Sequence, residues 1–339
     1  CPANDPRCNA SANWARQRAA GPRKAWTDIT PESKSNLVAI SNTTTLELEP
    51  VTIKNIIGYR TISSFDLTNV DGTDLALINA QTQANSKQIT EELQMAGSLR
   101  DDMIDYVAGL FYLEGKPTDP DIIHIQTFAP YGTALAEPSS LQPEGALGNE
   151  DFYEDRSKAV YGQVSYKLED LFSSLEDVTL DLGARYTKDE QTVCDAPSQT
   201  LTDPLVTEGQ CNTGVYPFTK QSTSSNKVTY NLGVNYRMND RLFVYAVTRR
   251  GYRGGGINTP LFPADSALSK AQTFEPEVVD DLELGMKTDF HIGETVGRFN
   301  LAVYQSEFSD IQAGISQAPT GDPLRDPSNQ TYYINACEA

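Results

Sequence analysis

The densest cluster of ligand-recognising groups in this 339-residue chain is Arg249 to Gly256 (RRGYRGGG), where Arg249, Arg250, Tyr252 and Arg253 stand within five residues. Arginine forks bind carboxylates and phosphates at two points, so these four are the candidate ligand contacts. The same arginines would equally serve to pair with nearby acids such as Glu283 or with anionic headgroups. The glycine run is not a phosphate loop, because it lacks the lysine and the following helix of one.

Other groups offer less. Adjacent acids, Glu91 with Glu92 and Asp280 with Asp281, suggest acid–base work. Neighbours on a strand point to opposite faces, however, and cannot flank one substrate bond. No catalytic residue is expected, and the chain reads as a non-enzyme. The two histidines, His124 in a loop and His291 at a turn, lack zinc-ligand spacing. The oxygen-rich stretch from Asp66 to Asp74 offers Asn69, Asp71 and Asp74 around Gly72, yet Leu67 falls where a calcium loop needs its first ligand. An exposed turn is the simpler reading there, and neither a metal nor a cofactor is expected.

The elements carrying these residues read as strands. In Val178 to Thr187, Val178, Leu180, Leu182, Ala184 and Tyr186 alternate with Thr179, Asp181, Gly183, Arg185 and Thr187. Val228 to Arg237 repeats the pattern. Such alternation gives one apolar and one polar face. Hairpins are predicted at 37–66, 86–116, 156–194, 226–256 and 274–317, about ten strands in all. Their turns are short: Glu49–Pro50, Leu99–Asp102, Phe172–Asp177, Met238–Asp240 and His291–Gly297. Long polar segments separate the hairpins. Short turns at one end and long loops at the other mark an antiparallel transmembrane β-barrel, and that all-β fold is the expectation.

Composition agrees. Hydrophobic residues are 39% and mean hydropathy is -0.43. No apolar stretch approaches the roughly 18 residues of a membrane helix, so a helical membrane protein is excluded. Tyr59, Tyr112, Tyr166, Tyr186, Tyr236, Tyr252 and Tyr304 fall within or at the ends of predicted strands, as interfacial aromatics do. Lys54, Arg60, Asp181, Arg185, Asn231, Asn235, Arg237, Glu283 and Lys287 are predicted to face inward, which requires a wet or plugged lumen. In Met103 to Leu113 and Arg241 to Arg249 apolar residues occupy both faces, as if packing against something inside. The net charge of -19 repels phosphate backbones, so no nucleic acid is expected as a partner.

Five cysteines form two close pairs, Cys1 with Cys8 and Cys194 with Cys211, and leave Cys337 alone. Both pairs lie in predicted loops and suit disulfides of an oxidising compartment. Lipidation of Cys1 is a weaker alternative, because no leader precedes it.

Ser86–Gly97 (SKQITEELQMAG), Met103–Glu114 (MIDYVAGLFYLE), Leu180–Asp189 (LDLGARYTKD), Leu242–Asn258 (LFVYAVTRRGYRGGGIN) and Phe274–Phe290 (FEPEVVDDLELGMKTDF) resemble, in order, barrel segments of TonB-dependent outer-membrane receptors. The resemblance spans most of 37–317. It implies a barrel of about 22 strands around an N-terminal plug, in the outer membrane of a Gram-negative cell. The implied function is import of a scarce siderophore, vitamin or glycan with energy from the inner-membrane TonB complex. Implied partners are TonB through a plug, the small-molecule or glycan ligand, and lipid or lipopolysaccharide. The chain itself reads as a partial barrel from the middle of such a receptor, with the plug absent. Its expected organisation is an extracellular loop region over 1–36, barrel over 37–317, and over 318–339 a further loop with the start of another strand. A secreted all-β binding or surface-layer protein, or a passive porin, are the alternatives.

Overall fold

The computed structural model describes residues 10–24, 26–27, 29–69, 72, 78–119, 121–127, 146–196, 207–211, 219–259, 271–316 and 331–336. In chain order its elements are α1 (Ala10–Ala20), β1 (Glu32–Leu48), β2 (Val51–Asn69), β3 (Ile78–Leu99), β4 (Ile104–Pro117), β5 (Asp121–Thr127), β6 (Ala146–Lys167), β7 (Val178–Ala196), α2 (Glu208–Cys211), β8 (Thr219–Asn239), β9 (Leu242–Arg253), β10 (Gly256–Ile257), β11 (Thr273–Phe274), β12 (Glu277–Ile292), β13 (Thr295–Ser309), β14 (Ile311–Ser316) and β15 (Thr331–Ala336).

One antiparallel sheet dominates, in the order β1-β2-β3-β4-β6-β7-β8-β9-β12-β13, with β5 pairing β3 and β6. The sheet is open, and every strand of the main path except β6 and β12 continues directly from its neighbour in sequence. Each of the five predicted hairpins is present. Their turn-side ends agree closely with expectation, for example at Glu49–Pro50 and at Asn239, whose carboxamide oxygen accepts the Arg241 and Leu242 amides at 2.9 Å each. That local bond is why an asparagine closes the β8–β9 turn. The β3–β4 turn runs through Arg100, Asp101 and Asp102 at φ of 55°, 55° and 66°, a left-handed conformation that aspartate tolerates better than most residues.

The loop-side ends run further than expected. β3 and β6 each have 22 residues, about twice the roughly 9 to 11 that cross a bilayer. Beyond the lipid a strand has polar side chains on both faces, so its apolar alternation ends while its backbone ladder continues.

Cross-strand partners share a face, and the register assembles continuous rows. Leu180 pairs with Val234 and Leu182 with Leu232. Leu232 continues to Thr248 and Leu282. None of this face is covered by a second layer: Leu182, Leu232 and Val234 are 47%, 44% and 43% exposed. A sandwich would bury these four positions between two sheets, and the described residues do not.

Tyr236 and Tyr166 lie on the apolar face toward the turn end, opposite Val178 and Leu180 respectively. Tyr186, Tyr112 and Tyr59 lie on the same face nearer the loop end. From the Val178 row to the row of Tyr112 is ten residues, about 33 Å along the strand and about 25 Å in height at the usual tilt. That is the thickness of an apolar band between two aromatic girdles. Tyr304 departs from the expectation: it pairs with Glu283 and therefore lies on the polar face.

Outside the main sheet, β14 and β15 pair with each other, as do β10 and β11. The first segment differs from the loop predicted for 1–36, since it carries α1 and the sheet begins at Glu32. His124, expected in a loop, stands on β5. Cys1, Cys8, Cys337, Asp71 and Asp74 lie outside the described residues.

Candidate functional site

The nine residues predicted to face inward share one face. Lys54, Gln94, Gly109, Tyr161, Arg185 and Thr229 are successive register partners; every second position along these strands adds Arg60, Asp181, Asn231, Asn235 and Arg237, and Glu283 and Lys287 join through Val247 and Phe243. Aromatic rings are interleaved with these charges. The Arg185 guanidinium lies 5.0 Å from the Phe111 ring and 5.7 Å from that of Tyr161, and Lys287 lies over Phe243 and Tyr245. This explains the strands whose two faces both read apolar: their inward aromatics are platforms for cations. Tyr161 and Tyr245 also lie over glycines. A Cβ at Gly109 or Gly285 would overlap those rings, so the glycines let an aromatic lie flat on the wall.

The two adjacent-acid pairs split as strand geometry requires. Glu91 pairs with Tyr112 on the apolar face, while Glu92 accepts the Tyr161 hydroxyl on the polar one. Asp280 takes both Nε and Nη2 of Arg250, at 2.8 and 2.7 Å, whereas Asp281 takes Arg249 Nε at 2.8 Å and Ser306 Oγ at 2.8 Å.

The same alternation separates the first two of the four candidate ligand contacts. Arg249 lies on the polar face and also reaches Glu283 at 2.5 Å, the pairing with a lumen acid that the sequence left open. Arg250 lies on the opposite face with Asp280 and the Tyr230 ring. Tyr252 donates its hydroxyl to Asp189. Arg253 stacks over Tyr333 at 6.0 Å. The structure thus brings Tyr252 to the polar wall near Asp189 and does not converge the four on one point.

What converges instead is a cavity of about 210 Å³ between the wall and the crossing segment after β9. Asp155 and Ser157 of β6, Asp189 and Gln191 of β7, and Thr223 and Ser225 of β8 line its wall side; Gly254, Gly255 and Glu275 line the other. Gln191 holds it together, donating to Asp155 at 3.0 Å and accepting the Ile257 amide at 3.0 Å. At Gly255 a Cβ would run into the Phe274 carbonyl, so only glycine lets the segment pass. The cavity's polar lining is mainly carboxylates and hydroxyls with Arg156 among them, beside the apolar Leu113, Phe274 and Pro276, which suits amine or hydroxyl groups of a ligand. The sequence reading missed these residues, although counting by twos from Asp181 and Arg185 places Asp189 and Gln191 inward.

Side-chain amides lock the segment to its neighbours. Asn258 donates to Ala271 and Tyr333 carbonyls and accepts the Tyr333 amide at 2.7 Å. Gln312 donates to the carbonyls of Gly254 and Glu275, and Asn335 to those of Glu275 and Asp310. Each amide replaces a missing backbone ladder partner, as buried polar groups require. Close by, Cys194 and Cys211 form a disulfide with Cα atoms 6.0 Å apart, packed with Phe152 and Ala196. Among the described residues no cluster of three or more metal-ligating side chains is found.

Comparison with known proteins finds the same fold elsewhere. The chain resembles the ferric yersiniabactin uptake receptor FyuA from Yersinia pestis, with a TM-score of 0.58 and 14% identity over 83% of this chain and 37% of that one. It resembles the siderophore receptor PiuA from Acinetobacter baumannii at 0.57 and 16%, over 91% and 43% respectively, and the copper transporter OprC at 0.57 and 10%, over 89% and 42%. At these identities the likeness is one of fold, and the chain spans about two fifths of each structure's length. A search of curated proteins finds no match. A family profile described as TonB dependent receptor-like, beta-barrel, covers residues 3–339, and the chain belongs to that family.

Proposed function

We propose that this chain forms part of the wall of an outer-membrane receptor of a Gram-negative cell that takes up a scarce ligand by TonB-coupled transport. The observation that carries this reading is the division of one uncovered sheet into an apolar face about 25 Å high and a charged face. A wall with lipid on one side and a polar interior on the other has that form. The fold relatives include proteins named for siderophore and copper uptake, which supports a small chelated or polar cargo. Ligand contact falls to the polar wall near its loop end, where Arg249, Tyr252 and the cavity beside Asp189 lie.

The test is uptake. Deleting the full-length gene is expected to abolish accumulation of one class among iron chelates, vitamins and oligosaccharides, and deleting the TonB gene should abolish the same one. Accumulation that survives loss of TonB but not of the receptor gene would make the protein a passive porin.

A further inference from the structure

The wall of the cavity beside Asp189 is built from two adjacent rungs of the polar face. Leu113, Ser157, Asp189 and Ser225 are successive register partners on one, and Gly115, Asp155, Gln191 and Thr223 on the next toward the loops. Both aspartates are oriented by uncharged donors. Asp155 accepts Gln191 Nε2 through Oδ1 at 3.0 Å, and Asp189 accepts the Tyr252 hydroxyl through Oδ2. No other donor among the described residues reaches either carboxylate, so each keeps a second oxygen and its charge for a ligand. Across the cavity stands Glu275. Among the described residues none of the three acids is in an ion pair.

The neighbouring cations are engaged or set aside. Arg156 borders the cavity, but its guanidinium is held by Glu114 and Glu190 at 2.9 and 3.7 Å, its direct register partners on the opposite face. Arg185 lies over Phe111 and Tyr161 and donates to Thr187 at 3.0 Å. Lys227 stands one rung toward the turns, opposite Thr187. An anion would therefore be repelled here. A metal ion is no better served, because among the described residues no three ligating side chains come close enough to share one. An ammonium group needs no such convergence, since its three N–H donors reach separate acceptors. Phe274 and Pro276 of the crossing segment offer an apolar side to the carbon frame that carries it. At about 210 Å³ the space falls below the roughly 300 Å³ of a drug-sized pocket, so it admits one ring or one short chain.

We propose that this cavity captures one ammonium-bearing unit of the transported ligand, so that the receptor selects cationic amines. A unit bearing only hydroxyls would fill the same space and leave three negative charges uncompensated. Hydrogen bonds between two charged groups are about twice as strong as those between neutral ones. The proposal rests on the reading that ligand enters at the loop end of this wall, and it names the class of cargo.

The experiment is titration calorimetry on the full-length receptor in nanodiscs, slightly below neutral pH, with glucosamine, glucose and 1,4-diaminobutane as probes. Both amines are expected to bind. Glucose, which carries a hydroxyl where glucosamine carries its ammonium, should bind about 10-fold more weakly or not at all. Asp155→Asn with Asp189→Asn keeps the shape of the wall and should weaken glucosamine binding about 10-fold. Asp105→Asn, an acid on the same face at the turn end, should leave it unchanged. Heat-resistant mobility on gels shows that each variant has folded, and the comparison of glucosamine with glucose needs no variant. Equal binding of glucose, no binding of either amine, or full retention of glucosamine by the asparagine variant would each overturn the proposal. If the amines bind but deleting the receptor gene leaves every uptake intact, the transport reading alone fails; if uptake depends on the gene and neither amine binds, the proposal alone fails.

Discussion

Replacing Leu232 with arginine is expected to cost the full-length receptor about 2–4 kcal/mol of folding stability in a bilayer, the penalty for a cation near the lipid midplane of a barrel wall. Leu232 lies in the third of six rows between the Val178 and Lys188 levels, opposite Leu182. Its side chain is 44% exposed with only its row neighbours beside it, so most of the cost is that of placing charge in hydrocarbon. Gln163→Arg, on the polar face at the same height beside Gly183, should change stability by less than about 1 kcal/mol, since a wet lumen solvates the guanidinium. Urea titration in vesicles of both variants reads the difference. Equal costs would mean that the two faces see the same solvent.

The second large effect concerns the loop. Cys194 and Cys211 are 17 residues apart, and opening a bridge over a loop of that size costs about 3 kcal/mol of loop stability. Burial adds to this, because both cysteines are nearly inaccessible and pack with Phe152 and Ala196. Cys194→Ser with Cys211→Ser is expected to make the segment between the two positions sensitive to limited proteolysis while the barrel keeps its heat-resistant mobility on gels. Strand pairing of β7 with β8 continues on the membrane side of Cys194, which is why the wall should survive. A fall in whole-barrel stability equal to that of the loop would show that the bridge supports the wall.

The wall was legible because a period of two is imposed by the backbone and by two different solvents. Leu180, Leu182, Leu232 and Val234 could be assigned outward, and Asp181, Arg185 and Asn231 inward, by counting alone. The same count would have separated Arg249 from Arg250, but proximity in sequence suggested a cluster that the pleat divides. Tyr304 was misplaced for a related reason: an aromatic residue in a strand signals an interface only after its face is known. Other features had no local signal. β5 and the extensions of β3 and β6 lie where both faces meet water, so no alternation marks them. The cavity beside Asp189 depends on where the Gly254–Ile257 segment returns across β7. That return is set by Gln191, Asn258 and Gln312, whose bonds reach from 13 to 75 residues away in sequence.

The most direct test of a membrane-spanning wall is spin labelling along β8 of the full-length receptor in bilayers, one nitroxide at a time from Val228 to Arg237. Labels at 228, 230, 232, 234 and 236 should relax strongly with oxygen, which concentrates in lipid, and those at 229, 231, 233, 235 and 237 with a water-soluble nickel chelate. A strict alternation between the two is the predicted result. Low accessibility to both reagents at 232 and 234, as in a sandwich core, or access of the nickel chelate to every position, would contradict it.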